Sequence, residues 1–426
     1  MSNSNKCKVF HSEVWGLRET KYDWLVKNDI KTTKWKKLNP ASPYYFFVPR
    51  EEKLLEDYEK HPKISELFPL NSVGLFTARD GFAIDMNKDN LLNRIRLFKN
   101  NKYSDDELHA FFQINRSKGW DIRKAWKAIH SISDSDLSRF ILSILYRPFD
   151  IRWIFYHDAV VERSRKEVMR HMIQENLALC VGRAGQVVGL EKRWNIVFCS
   201  EWFGDLNLFY RGGNVNFPLY LYPDTDKKDL FSQKKKSEKR QPNINPKVFA
   251  TLTEVYRKEP TPEEVFYYIY AVLYSNIYRT KYSEFLKIDF PRIPFTKDYK
   301  LFSKMAEYGK ELVDLHLVGA IHVGAIHESP LPKFQGKGDN SVEKIKFEKG
   351  KVYINKDQYF ESIGREIWEY QIGGYQVLSK WLKDRKKRKL SLEDIKHYCK
   401  VVTVLDRTIQ IQKIIDELYP QIEKSS

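Results

Sequence analysis

The chain has 426 residues, room for two or three compact units at roughly 150 residues each. Its 42% hydrophobic and 14% aromatic content excludes a disordered chain. Lys+Arg number 73 against 56 Asp+Glu, a net charge of +17 that attracts polyanions, nucleic acid before a membrane surface.

Taken in chain order, Val9 to Trp15 reads as a strand and Glu19 to Val26 as a short helix. A proline-punctuated loop, Asn39-Pro40-Ala41-Ser42-Pro43, precedes an apolar run, Tyr44 to Val48, with strand chemistry. Ser72 to Ile84 is strand-like. Leu91, Leu92, Ile95 and Phe98 then fall on one face of a helix, and Leu137, Phe140, Ile141 and Ile144 share the same spacing. From Tyr146 to Pro223 the character changes. Ile151–Tyr156, Asn195–Cys199 and Pro218–Tyr222 read as strands, separated by the turns Gly182 to Gly189 and Gly212-Gly213 and by one helix, Arg165 to Asn176. This alternation predicts an α+β fold with a mixed or largely antiparallel sheet and helical insertions, rather than repeated βαβ units.

Asp224 to Pro246, which contains SQKKKSEKRQPNINP, reads as a basic loop. Thr261-Pro262-Glu263-Glu264 is a helix start, with a capping residue, proline in the first turn and acids at the positive end of the dipole. The helix runs to Tyr278 and its Tyr-rich core suits burial. Asp289 to Phe295 is a proline-bounded strand or turn, and Lys300 to His316 another helix. VGAIHVGAIH, residues 318 to 327, is a tandem duplication too short for a solenoid unit, so it is read as an insert at a tolerant surface site. A Gly/Lys linker leads to a hairpin, Lys344 to Asn355, turning at Lys349-Gly350. The tail, Gln358 to Tyr419, reads as helical, with Ser391 and Asp394 approximating a capping box and Ile395, Cys399, Val402, Leu405 and Ile409 in one stripe.

Catalytic motifs are missing from the sequence. It has no GxxxxGK[ST], no GxSxG and no GxGxxG after a strand. Gly182-Arg183-Ala184-Gly185 lacks the lysine of a phosphate loop. Ser42-Pro43-Tyr44-Tyr45 approaches the loop of amino-methyltransferases but lacks its second proline, and reads better as a strand entry. Cys7, Cys180, Cys199 and Cys399 form no CxxC pair and the histidines no HExxH, so neither a disulfide framework nor a metal site is expected. No run of about eighteen apolar residues could span a bilayer, and MSNSNKCK has no apolar signal core, so the chain is expected in the cytoplasm.

The positive signal is basic residues interleaved with aromatics and amides. Arg147, Arg152, Arg163, Arg165, Lys166, Arg170 and Arg183 crowd one span with Trp153, Tyr156 and His157. The loop from Gln233 to Asn245 adds Lys234, Lys235, Lys236, Lys239, Arg240, Gln241, Asn243 and Asn245. Arginine clamps phosphate or reads guanine bidentately, and Asn or Gln pairs with adenine in the same way. The structural alternative for Arg147 is an internal pair with Asp150, and it is preferred there. For Arg163 to Arg170 an anion is preferred, because clustered guanidinium groups repel unless one joins them. Lys380 to Lys389, KWLKDRKKRK, is divided evenly between a phosphate-facing helix end and plain solvation.

The strings SPYYFFVPR, LFPLNSVGLFTARDGFAID, LYRPFDIRWIFY, RKEVMRHM, FPLYLY, EEVFYYIYAVLYSNIYRTKYSEFLKIDFPRIPF and IWEYQIGGYQVLSKWLKDRKKRKLS resemble, in order and over nearly the whole chain, the C-terminal target-recognition region of Type ISP restriction-modification enzymes. Those are single-polypeptide bacterial enzymes that join a nuclease, an ATP-driven translocase, an adenine-N6 methyltransferase and a DNA-reading domain. The resemblance implies a sequence-specific reader of double-stranded DNA, not catalytic alone. Residues 1–35 would be the edge of a methyltransferase domain, 36–330 the recognition domain and 340–426 a helical subdomain. It implies no cofactor in this chain, with S-adenosylmethionine and ATP/Mg belonging to parts outside it, and a separately encoded methyltransferase, helicase or nuclease polypeptide as a partner besides DNA. Arg163 to Arg183 and Gln233 to Asn245 would enter or flank the major groove, with Arg79 in Thr77-Ala78-Arg79-Asp80 as a further contact. The alternative is a nonfunctional remnant, or a subunit of a split adenine-specific DNA methyltransferase or endonuclease.

Overall fold

A computed structural model describes residues 7–42, 45–49, 54–100, 102–116, 119–182, 194–223, 240–317 and 332–426. The chain divides into two units, Met1–Tyr58 and Glu59–Ser426.

In the first unit, β1 (Val9–His11) pairs antiparallel with β2 (Lys36–Leu38), Phe10 opposite Lys37. The expected helix forms over Arg18–Lys27 and buries none of its residues. Residues 45–49 form no strand, and Tyr45 takes the left-handed conformation at φ 49°.

Three four-stranded sheets form among the described residues of the second unit, one of them in the tail. The other two are built from β3 (Ser72–Val73), β4 (Ile84–Asp85), β5 (Ile141–Arg147), β6 (Asp150–Phe155), β7 (Ala178–Gly182), β8 (Val197–Ser200), β9 (Phe203–Gly204) and β10 (Asn214–Pro218). One sheet has the antiparallel order β3-β10-β7-β8, with Val215 opposite Val181 and Leu179 opposite Cys199. The other has the order β4-β6-β5-β9, antiparallel except for the parallel pair β5–β9. The α+β expectation therefore holds.

Helix Lys88–Asn100 lays Leu91, Ile95 and Phe98 onto the second sheet, and the T-shaped trio Phe82, Phe98 and Phe112 seals that core. The Leu137–Ile144 stripe is not a helix. A short 3-10 turn, Leu137–Phe140, leads straight into β5, where β-branched residues pair with β6 instead. A second core gathers around helix Pro262–Tyr274, capped as expected by the reciprocal Thr261 and Glu264 hydrogen bonds. It ends at Ser275, whose hydroxyl accepts from Tyr278 N and starts a separate helix, Asn276–Lys281. Helix Tyr299–Leu317 packs against it so closely that a Cβ on Gly309 would stand 1.8 Å from the Tyr267 carbonyl oxygen.

The tail is less helical than its composition suggests. The hairpin forms as read, with Lys346–Glu348 paired to Lys351–Tyr353, but a strand Tyr359–Phe360 and a tight pair Gln371–Ile372 and Tyr375–Gln376 precede the helix Val377–Lys383. The final helix, Leu392–Ser425, carries the Ser391–Asp394 capping box and lies on the helices of the second core, within the second unit. The VGAIH duplication lies outside the described residues.

Candidate nucleic-acid interface

The span Arg163 to Arg170 begins where β6 has ended and the chain turns back. Arg163 is pinned by its backbone: its N–H donates to Phe76 O at 2.9 Å, and its side chain is exposed, with the guanidinium 5.8 Å from the Phe76 ring. Arg165 takes the left-handed conformation at φ 51°, which turns the chain into the single helical turn Lys166–Met169. That turn and the 3-10 turn Arg170–Met172 are all that forms of the helix expected over Arg165 to Asn176. Val168, Met169 and Met172 are buried, so Lys166 is left outward and Arg170 half-buried.

A two-stranded antiparallel pair is clipped to this span. Strand β11 (Tyr220–Leu221) pairs with β12 (Gln241–Pro242). Asn176 donates to Tyr220 O at 2.8 Å and accepts from Tyr220 N at 3.0 Å, and His171 Nδ1 accepts from Tyr222 N at 2.9 Å. Arg170 Nη1 donates to Tyr222 O at 3.2 Å. From just ahead of the other strand, Arg240 stacks 4.0 Å above the Tyr220 ring, and the Tyr222 hydroxyl beside it holds its guanidinium above its ordinary pKa. Two basic clusters some 70 residues apart in sequence thus meet on the Tyr220–Tyr222 segment. Sequence reasoning singles out neither Asn176, His171 nor the two tyrosines. The alternating FPLYLY run is the only local sign, because their partners lie 44 to 51 residues away.

The remaining candidates behave differently. Arg79 is 7% exposed, lies 4.0 Å from the Trp120 ring, pairs with Glu162 at 2.7 Å and donates to Val160 O. Burial pulls its guanidinium pKa down against the Glu162 charge. It therefore holds the chain just ahead of Arg163 and does not face outward. Arg152 is occupied by Asp150 at 2.7 Å, Asp384 at 3.2 Å and the Tyr146 ring at 3.9 Å. Asn243 is 3% exposed and bonds the backbone of Leu70 and Pro218. Asn245 caps helix Pro246–Tyr256 through Lys247 N and donates to Glu66 O at 3.2 Å. Burial and caps fix these four for reasons no linear reading could see. Arg183, Gln233, Lys234, Lys235, Lys236 and Lys239 lie outside the described residues.

Arg147 is structural, but its carboxylate is Asp205 at 2.7 Å, not Asp150. Asp150 instead takes Arg152 and Arg385. In the Lys380 to Lys389 run, Lys380 pairs with Asp384, Arg385 with Asp150 and Lys389 with Asp339 at 2.9 Å. Lys383, Lys386 and Lys387 are exposed, with no ion pair among the described residues.

The exposed cations of the Tyr220–Tyr222 face hold only surface partners. Lys166 pairs with Asp158, both more than half exposed, and Arg240 stands 3.9 Å from Glu263. Such pairs contribute about 0–1 kcal/mol and give way readily to a phosphate. Chemically the face can neutralise anions and stack aromatics. Among the described residues, no group of three or more His, Cys, Asp or Glu could hold a metal ion.

The sequence matches the family model of the Type ISP C-terminal specificity domain over residues 66–413. The fold is similar to a nuclease-deletion mutant of the Type ISP restriction-modification enzyme LlaGI in complex with a DNA substrate mimic, with TM-score 0.67 and 20% identity over 97% of this chain and 33% of that one. It is similar to DrdV in a cryo-EM DrdV–DNA complex, with TM-score 0.70 and 19% identity over 94% of this chain and 42% of that one. The ATP-dependent Type ISP restriction-modification enzyme LlaBIII bound to DNA gives TM-score 0.62 and 19% identity over 89% and 25%. The chain therefore spans from 25% to 42% of the length of these relatives. No curated protein matches the sequence.

Proposed function

The chain belongs to the Type ISP C-terminal specificity domain family, and from that premise we propose that it recognises a target sequence in double-stranded DNA. The observation that carries the reading is the convergence of Arg170 and Arg240 on the Tyr220–Tyr222 segment, with Arg163, Arg165 and Lys166 along the same span. Phosphate neutralisation by these groups supplies most of the affinity, and base-edge contacts discriminate by about 1–3 kcal/mol each. Arg183 and the amides and lysines Gln233, Lys234, Lys235, Lys236 and Lys239 extend the same set.

The solved relatives carry DNA in their complexes, which supports the reading. In it the chain is the specificity part of an adenine-N6 methyltransferase and restriction system in the bacterial cytoplasm, and does not catalyse alone. S-adenosylmethionine and ATP/Mg act on other parts, whether in one polypeptide or a partner, and the methyltransferase flips the adenine while this domain grips the duplex. No helix among the described residues is long and apolar enough to cross a membrane.

Selection of duplexes from a randomised pool by the purified chain tests this. A consensus motif, bound at least a thousandfold more tightly than bulk DNA at physiological salt, is the expected result on the scale of specific readers, roughly 10³–10⁷. Recovery of unenriched sequence at every salt concentration would reduce the chain to a nonfunctional remnant.

A further inference from the structure

Five cations among the described residues are buried: Arg79, Lys99, Arg147, Arg279 and Arg385. Four of them hold a carboxylate, namely Glu162, Asp134, Asp205 and Asp150 in that order. Arg279, 6% exposed in helix Asn276–Lys281, forms no ion pair among the described residues. Its Nε donates to Leu273 O at 2.6 Å, and its Nη2 is buried without a hydrogen-bond partner. The rings of Tyr274 and Trp194, 4.7 and 5.8 Å from the guanidinium carbon, offset part of the cost. An unpaired charge in such a place is otherwise strongly unfavourable, and an anion is its usual companion.

Arg279 lines a cavity of about 350 Å³. Trp194 and Asn195 ahead of β8, Tyr370, Gln371 and Gln412 complete most of the wall. Three of the four side-chain amides there are already engaged, Asn276 with Asp416 at 3.0 Å among them. Gln412 donates to Tyr274 O at 3.0 Å and accepts from the Tyr370 hydroxyl at 3.1 Å, and Asn195 donates to Gln371 O at 3.0 Å. The one carboxylate of the lining, Glu369, is exposed and held by Arg365 at 2.8 Å. The Trp194 indole N–H, by contrast, is buried with no acceptor. The two buried atoms of the lining left unmet are thus both donors, and one carries a permanent charge.

We infer that this cavity binds a small oxyanion, the carboxylate or phosphate group of a small molecule, with the Arg279 guanidinium as counter-charge and the Trp194 N–H as a second donor. None of these residues belongs to the set proposed for DNA, so the site stands or falls independently of that reading. Its volume lies within the ordinary range of ligand sites, roughly 300–1,000 Å³, so the oxyanion can bring a small body with it.

Inorganic phosphate is the probe. Equilibrium dialysis of labelled phosphate against the full chain, at constant ionic strength, should show one saturable site. Arg279→Met and Trp194→Phe should each weaken it roughly tenfold or more, the scale of a lost hydrogen bond to a charged group. Because Arg279→Met removes an unpaired charge, its melting temperature in phosphate-free buffer should be unchanged or higher. If that variant does not fold, Trp194→Phe, which keeps an aromatic ring and loses the N–H, carries the comparison alone. A duplex should leave the bound phosphate in place; a duplex that displaces it would assign the cavity to a DNA phosphate and overturn the small-molecule reading. Absent or unsaturable binding, or affinity unmoved by both substitutions, overturns it.

Discussion

The carboxylate of Asp150 accepts from the guanidinium of Arg385 at 3.0 Å across 235 residues of sequence, and so ties the β5–β6 hairpin to the turn ahead of the C-terminal helix. Its other oxygen takes Arg152 at 2.7 Å, and the Arg385 guanidinium itself lies 3.5 Å over the Trp381 ring. Burial pushes the Asp150 carboxyl up, but the two arginines outweigh it and hold its pKa below the ordinary 3.8. Asp150→Asn leaves two guanidinium groups short of charge, and the cost should be about 3–5 kcal/mol in urea unfolding at neutral pH. The sign with pH follows: a depressed folded pKa means that this stability is present above 3.8 and is lost as the pH falls through the folded value. The variant should therefore lose less than the parent on acidification.

Gly309 is required by close approach, not by backbone conformation. An added Cβ would stand 1.8 Å from Tyr267 O and 2.5 Å from its carbonyl carbon, and neither can move without parting helices Pro262–Tyr274 and Tyr299–Leu317. Gly309→Ala would normally favour a helix, by about 1 kcal/mol. Here it should instead destabilise by about 1–3 kcal/mol or more, as overpacking does. A denaturation midpoint above that of the parent would show that the helices can separate freely.

Arg79 and its downstream neighbours should separate in a binding assay. Arg163, Lys166 and Arg240 are exposed and Arg170 half-buried. Replacing Arg165, Lys166 and Arg170 together with Ala should weaken duplex binding. The slope of log affinity against log salt should become shallower by up to about 0.9 for each phosphate that is no longer neutralised. Arg79→Ala should act first on stability, since Glu162 and Val160 O lose their donor. Equal salt slopes for parent and triple variant would remove these side chains from the interface.

What could be read from the sequence was local. The Thr261 and Ser391 capping boxes, the Lys349-Gly350 turn and the Lys88–Asn100 stripe depend on neighbours within a few residues, and all appear as expected. The Leu137–Ile144 segment failed because a short apolar run fits helical and extended periods equally, and pairing with β6 decided between them. The candidate site divided in the same way. Clustering of arginines was visible, but whether each faces outward depends on Trp120 for Arg79, Asp384 for Arg152 and Leu70 for Asn243, residues 41 to 232 positions away whose approach only the fold supplies.

His316 sits at 3% exposure between helix Pro262–Tyr274 and the C-terminal helix. Thr408 uses its hydroxyl proton on Val404 O at 2.8 Å, so it can only accept from His316 Nε2 at 3.0 Å. Nδ1 is left as the acceptor for the Tyr270 hydroxyl at 2.7 Å, and the neutral ring is fully used. Burial, with the Arg279 charge adding to it, brings the pKa down from 6.5 to about 3. Between those values the unfolded chain binds the proton and the folded chain does not, so stability should fall as the pH drops through that window, by up to about 1.4 kcal/mol per pH unit. Above 6.5 this contribution is flat. His316→Asn should be less stable at neutral pH yet show a shallower decline between about pH 6 and 4, because the titrating group has gone. Urea unfolding of both chains across that range measures the difference directly, and parallel curves would mean that His316 is protonated inside the fold.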